Sequence, residues 1–107
     1  MKANDFIVVF VTVGNEEEAL KIAKHAVENR LVACVNIVPG IRSIYRWKGE
    51  ICDDRELLCI MKTKRSLFAE LKQAIKHIHS YEVAEIIAVP LAEGVEDYLR
   101  WLDKETL

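Results

Sequence analysis

The chain has 107 residues, the size of one domain, and 51% of them are apolar, enough for one core. Fifteen Lys and Arg against seventeen Asp and Glu leave a net charge of −2, which excludes the broad basic footprint of a nucleic-acid binder. Three cysteines without a CxxC pair exclude a disulfide framework and point to a reducing compartment, the cytoplasm.

Phe6–Val13 reads FIVVFVTV, β-branched and aromatic almost throughout. Such a run predicts a strand buried on both faces at the centre of a sheet. It is too short for a membrane span, which needs roughly 20 residues, and no signal-peptide cleavage pattern follows it. Asn15 predicts a helix N-cap, with Glu16, Glu17 and Glu18 in the first turn and Glu18 spaced as in a capping box. Ala19, Leu20, Ala23, Ala26 and Val27 form the apolar stripe, Ile22 lies at its edge, and Asn29 ends the helix.

Residues 31–38 (LVACVNIV) predict a second strand, and Pro39-Gly40 predicts a turn or sharp bend after it. Residues 41–47 alternate as a third extended segment, with Ile41, Ser43, Tyr45 and Trp47 on one face and Arg42, Ile44 and Arg46 on the other. Lys48-Gly49-Glu50 reads as a tight reversal. A short strand at Ile51-Cys52, a charged interruption at Asp53, Asp54 and Arg55, and a strand over residues 56–63 follow. Ser66 predicts the cap of a second helix, whose stripe is Leu67, Leu71, Ala74, Ile75 and Ile78 with Phe68 beside it. Residues 83–89 predict the last strand, limited by Pro90. Gly94 opens a terminal helix with Val95, Tyr98, Leu99 and Leu102 on one side and Trp101 close by.

With the short extras set aside, the order is βαββαβ, a ferredoxin-like α+β sandwich with two helices on one face of an antiparallel sheet. The region from 31 to 63 is long for two strands and a turn, so it projects as an extended hairpin. Unpaired strand edges need cover, and the aromatic face of the hairpin predicts docking between copies of the chain.

The segment His79-Ser80-Tyr81-Glu82 places an imidazole, a phenol and a carboxylate between helix and strand, and Glu85 follows in an apolar strand. It reads equally as a functional loop or as a helix C-cap with Tyr81 packed on the sheet. Tyr45 and Trp47 near the hairpin tip read as pocket walls or as anchors of a subunit contact. Lys62 reads as a ligand contact or as a solvated strand end. His79 and Cys34 have the chemistry of ligands for copper and other softer ions, although Cys34 also reads as a small core residue. No P-loop, dinucleotide fingerprint or GxSxG elbow is present, so no enzyme signature stands in the chain.

Five blocks together resemble the CutA family. Residues 30–37 resemble its RLAACVNI block, and residues 43–51 its SxYxWxGxI block. Residues 56–63 resemble its ExxLxxKT strand, residues 79–87 its HPYExPEII block, and residues 98–102 its terminal YLxWI helix. The resemblance implies a ferredoxin-like fold with extra terminal elements and a homotrimer similar in outline to the P-II signalling proteins. It also implies a role in tolerance of copper and other divalent cations, no enzymatic reaction, and a metal site that uses His79 and Cys34. The alternative is a ligand-sensing or protein-anchoring trimer without metal, holding a small anion in a cleft beside Lys62, Tyr45 and Tyr81. Ser80 and Ala84 stand where members often have proline, and Val11 and Ile78 stand where a proposed copper site has cysteine and histidine.

Overall fold

The computed structural model describes all 107 residues. Strand β1 (Phe6–Val13) is central, antiparallel to β3 (Glu50–Lys64) on one side and to β4 (Ile86–Pro90) on the other. Strand β2 (Cys34–Trp47) completes a four-stranded antiparallel sheet in the order β2-β3-β1-β4. Helices α1 (Glu16–Glu28) and α2 (Phe68–Ile78) follow β1 and β3, so the split βαβ order is realised as expected. Helix α3 (Glu96–Glu105) ends the chain.

Side chains alternate along a strand, so β1 has two unlike faces. Ile7, Val9, Val11 and Val13 are buried in the main core with Ala19, Ile22 and Ala26 of α1 and Leu71 and Ile75 of α2. On the opposite face Val8 and Phe10 are only half-buried. Burial on both faces therefore holds only at the ends, where Phe6 packs with Leu99 and Leu102 of α3 and where Thr12 is covered. Between those ends this sheet face is open, and Val38, Ile87 and Val89 are exposed on it.

Asn15 caps α1 as its residue type demands, accepting the Glu18 N–H at 2.8 Å. The reciprocal half of the capping box is absent, because the Glu18 carboxylate instead accepts the Ser80 N–H at 2.8 Å. The buried stripe is Ala19, Ile22 and Ala26, while Leu20 and Val27 are exposed, which turns the helix away from the expected stripe. Arg30, at φ +57°, passes its guanidinium to the carbonyls of Lys104 and Glu105 and ties α3 to the end of α1.

Pro39-Gly40 does not end a strand. It is a bulge within β2, where the pairing shifts between Val38 and Ile41. Proline has no N–H to give to the ladder, and Gly40 takes φ +72° without steric cost. The extra residue keeps Val38 and Ile41 on one face, so Cys34, Asn36, Val38, Ile41, Ser43, Tyr45 and Trp47 share it. Nor do Asp53, Asp54 and Arg55 interrupt β3. They pair with Ile44, Ser43 and Arg42, and Arg42 holds Asp53 through a two-pronged bond of 2.7 and 2.9 Å. The reversal is a two-residue turn at Lys48 and Gly49, both with positive φ, as tight hairpins require. β1 runs out at Val13 opposite Leu57, so the hairpin beyond Ile41 and Glu56 projects from the sheet. The projection stretches the molecule to 45 Å in one direction and its radius of gyration to 14.4 Å, above the roughly 13 Å of a compact chain this long.

Three smaller expectations also change. Ser66 lies in a 3-10 turn (Arg65–Leu67), and no side chain caps α2. β4 begins at Ile86 and includes Pro90, which is tolerated on a sheet edge. In α3, Leu99 and Leu102 are buried but Val95, Tyr98 and Trp101 are exposed. Because Leu71 is fully buried between α2 and the sheet, Leu71→Ala should lower unfolding stability by about 3 kcal/mol in urea titration.

Candidate functional site

α2 stops at His79, whose N–H still bonds the Ile75 carbonyl at 2.8 Å while its backbone turns extended. The imidazole is buried and fully committed. Nε2–H donates to the Thr12 carbonyl at 2.7 Å, and Nδ1 accepts the Tyr81 N–H at 3.1 Å. A carbonyl cannot donate and an amide N–H cannot accept, so this ring is the neutral Nε2–H tautomer. It orients Tyr81, whose ring meets it edge-on with centroids 4.7 Å apart.

Tyr81 lies over the end of β1 and donates its hydroxyl to Glu56 Oε2 at 2.7 Å. Gly14 makes room for it, since a Cβ there would stand 3.0 Å from the Tyr81 hydroxyl. Glu56 is only 7% exposed. On the hairpin, Tyr45 donates to Asp54 in the same manner. These residues enclose a cleft of about 460 Å³, walled by Thr12, Tyr45, Trp47, Glu56, Tyr81 and Glu85 among others. A second hollow of about 260 Å³ shares Tyr45, Trp47 and Tyr81 and adds Asp54 and Glu82. Lys48 stands at the rim, 3.2 Å from Glu82 and 5.5 Å from the Trp47 ring centroid. A larger hollow at the far end of the sheet, around Met1, Phe6 and Lys64, contains none of the sequence candidates.

The structure thus gathers Tyr45, Trp47, Tyr81, Glu82 and Glu85, with His79 behind Tyr81. Lys62 is elsewhere. It sits across from Val8 and Cys34 and bonds the Asn36 side-chain oxygen. Cys34 faces Tyr98, with sulfur and hydroxyl 3.8 Å apart. That register lies four residues along β1 from Thr12, roughly 13 Å at the rise of a strand, so His79 and Cys34 do not meet within the chain. No three His, Cys, Asp or Glu side chains gather as a metal site. Three contributors are not evident from the sequence. Glu56 opens an apolar strand, where a carboxylate facing the same way as Leu58 and Ile60 is the available signal. Asp54 reads in sequence as part of a charged interruption, and Gly14 as a strand end.

The phenols hold their protons tightly. The bond to Asp54 pushes Tyr45 up to about 12. Burial, then the bond to Glu56, raises Tyr81, and burial, then Cys34, raises Tyr98. Tyr45 and Tyr81 are hydrogen-bond donors at neutral pH.

Fold and register together define a ferredoxin-like domain enlarged by a projecting hairpin and a C-terminal helix. The profile of the family described as CutA1 divalent ion tolerance protein matches residues 7–105. The chain is 54% identical over 99 residues to the divalent-cation tolerance protein CutA of Thermus thermophilus, covering 92% of this chain and 96% of that one. A solved structure of the divalent cation tolerance protein from Thermus thermophilus superposes with a TM-score of 0.93 at 53% identity, over 95% of this chain and 99% of that one. The chloroplastic CutA of Arabidopsis thaliana is 47% identical over 94% of this chain, which spans 55% of that longer protein. This chain belongs to the CutA1 divalent ion tolerance family.

Because the folded phenols hold protons that unfolded tyrosines release near pH 10, the fold loses stability as pH rises past that value. The contribution is whole below about pH 10 and is lost as the pH climbs through the Tyr45 value of about 12. Phenolate absorbance of the native protein should lag that of the urea-unfolded chain between about pH 10 and 11. Coincident curves would contradict the two phenol–carboxylate bonds.

Proposed function

We propose that this chain serves divalent-cation tolerance as the subunit of a homotrimer, acting by binding and assembly without catalysis. The observation that carries the reading is the half-covered sheet. Val38, Ile87 and Val89 are exposed on the face that α1 and α2 leave open, and an aromatic hairpin extends past it. Exposed strand edges and apolar sheet faces favour pairing with another chain. A hairpin that docks on a different edge of the next copy makes a head-to-tail contact, which forms a ring when the rotation between copies closes. Three copies are the number that the resemblance to CutA implies. Three unpaired thiols, at Cys34, Cys52 and Cys59, support a reducing compartment, the cytoplasm.

The cation, copper included, enters this reading through the assembly and not through a His79–Cys34 pair within one subunit. Both nitrogens of His79 are occupied, and binding a metal there would cost the bonds that place Tyr81. Any ligand set shared between copies would then depend on trimer formation. Sedimentation velocity at micromolar concentration should show a single species near three times the 12.3 kDa chain mass. A monomer would overturn the reading. In Cu(II) calorimetry, Cys34→Ser should leave the heat per subunit unchanged, and a loss of the binding isotherm would restore Cys34 as a ligand.

A further inference from the structure

Glu56 is a charged group without a counter-charge. It is more than nine-tenths buried, its carboxylate has a single hydrogen bond within the chain, the one Tyr81 gives to Oε2, and Oε1 is left to open onto the cleft. No lysine, arginine or histidine pairs with it, and none lines the cleft that it walls. A carboxylate with so little access to water gains from a cation that approaches it through the cleft. Glu85 lies in the same wall, and Asp54 and Glu82 line the hollow beside it. The cleft therefore has the electrostatics of a cation site, opposite to the anion expected beside Lys62.

The kind of cation is set by the rest of the wall. A bare divalent ion needs several oxygen ligands converging on one point, and no such group of three exists here. Asp54 and Glu56 each already accept a bond from a phenol. What surrounds the carboxylates is aromatic surface, the rings of Tyr45, Trp47 and Tyr81. Aromatic faces joined with a carboxylate suit an organic ammonium ion, whose charge is spread and whose hydrocarbon needs cover. The chain itself supplies an instance at the rim, where the Lys48 ammonium stands over Trp47 and beside Glu82.

We infer that the cleft between the hairpin and the Tyr81 loop binds a small organic ammonium compound, with Glu56 as its charge partner and Tyr45, Trp47 and Tyr81 as its walls. The inference concerns the cleft of each chain, on the side of the sheet that the proposed assembly also uses, and it does not rest on any metal.

The same ammonium chemistry could come from a free amine or from a lysine of a neighbouring copy, and the test separates them. Titration of the intact protein with n-butylammonium chloride, against sodium chloride at equal ionic strength, is followed by isothermal calorimetry. Saturable binding is expected for the amine and not for sodium. Glu56→Gln, which keeps an oxygen for Tyr81 to bond, should weaken it at least tenfold. Trp47→Leu, on the exposed hairpin, should weaken it at least threefold and guards against a folding defect in the first variant. Absence of saturable binding to the wild type, or equal affinity in both variants, would overturn the inference. Loss of self-association in Glu56→Gln without any amine binding would assign Glu56 to a neighbour's lysine and would equally overturn the ligand site.

Discussion

A carboxylate placed inside a sheet dictates much of what surrounds it. Glu56 sits where β3 leaves the shelter of β1 and becomes the projecting hairpin, and there it is nearly inaccessible to water. Such a group persists only if donors are brought to it. Tyr81 supplies the donor, and His79 fixes Tyr81 by accepting its N–H while anchored on the Thr12 carbonyl. Glu18 fixes the same loop from α1 through the Ser80 N–H. One buried charge thus links β3, β1, α1 and the loop before β4.

The other organising feature is asymmetry of cover. Two helices close one sheet face and α3 closes only one end of the other. The strands and hairpin are long because the bulge at Pro39-Gly40 lets β2 continue with Tyr45 and Trp47 on the face already used by Cys34 and Val38. The aromatic wall of the cleft and the apolar surface offered to other copies therefore belong to a single side of the sheet. The proposed assembly and the proposed ligand cleft thus draw on one surface, so a substitution there bears on both.

Much of the fold is legible in the sequence because its signals are local. The run at Phe6–Val13, the Asn15 cap, the Leu71 and Ile75 spacing and the reversal at Lys48-Gly49 each act within a few residues. The errors lie where a neighbour overrules a local rule. Pro39-Gly40 punctuates a sequence, yet the β3 ladder carries the chain through it as a bulge. Asp53 and Arg55 look like a loop until cross-strand pairing with β2 gives them partners. In the site, the aromatic and acidic residues of the hairpin and the Tyr81 loop are visible by type. Glu56 is not, because its burial comes from Tyr81, 25 positions further along the chain. His79 reads in sequence as a metal ligand or as part of a helix C-cap, and nothing local reveals that Thr12 and Tyr81 occupy both its nitrogens.

The bond between Tyr81 and Glu56 is the point on which hairpin, loop and cleft converge, and it is directly measurable. A double-mutant cycle on unfolding stability with Tyr81→Phe, Glu56→Leu and the double variant, each single change removing one partner of the bond, isolates the pairwise energy. A favourable coupling of about 1 kcal/mol or more is expected for a buried bond to a carboxylate. Additive losses, with no coupling, would show that the phenol does not hold the carboxylate and that the cleft is not built around it.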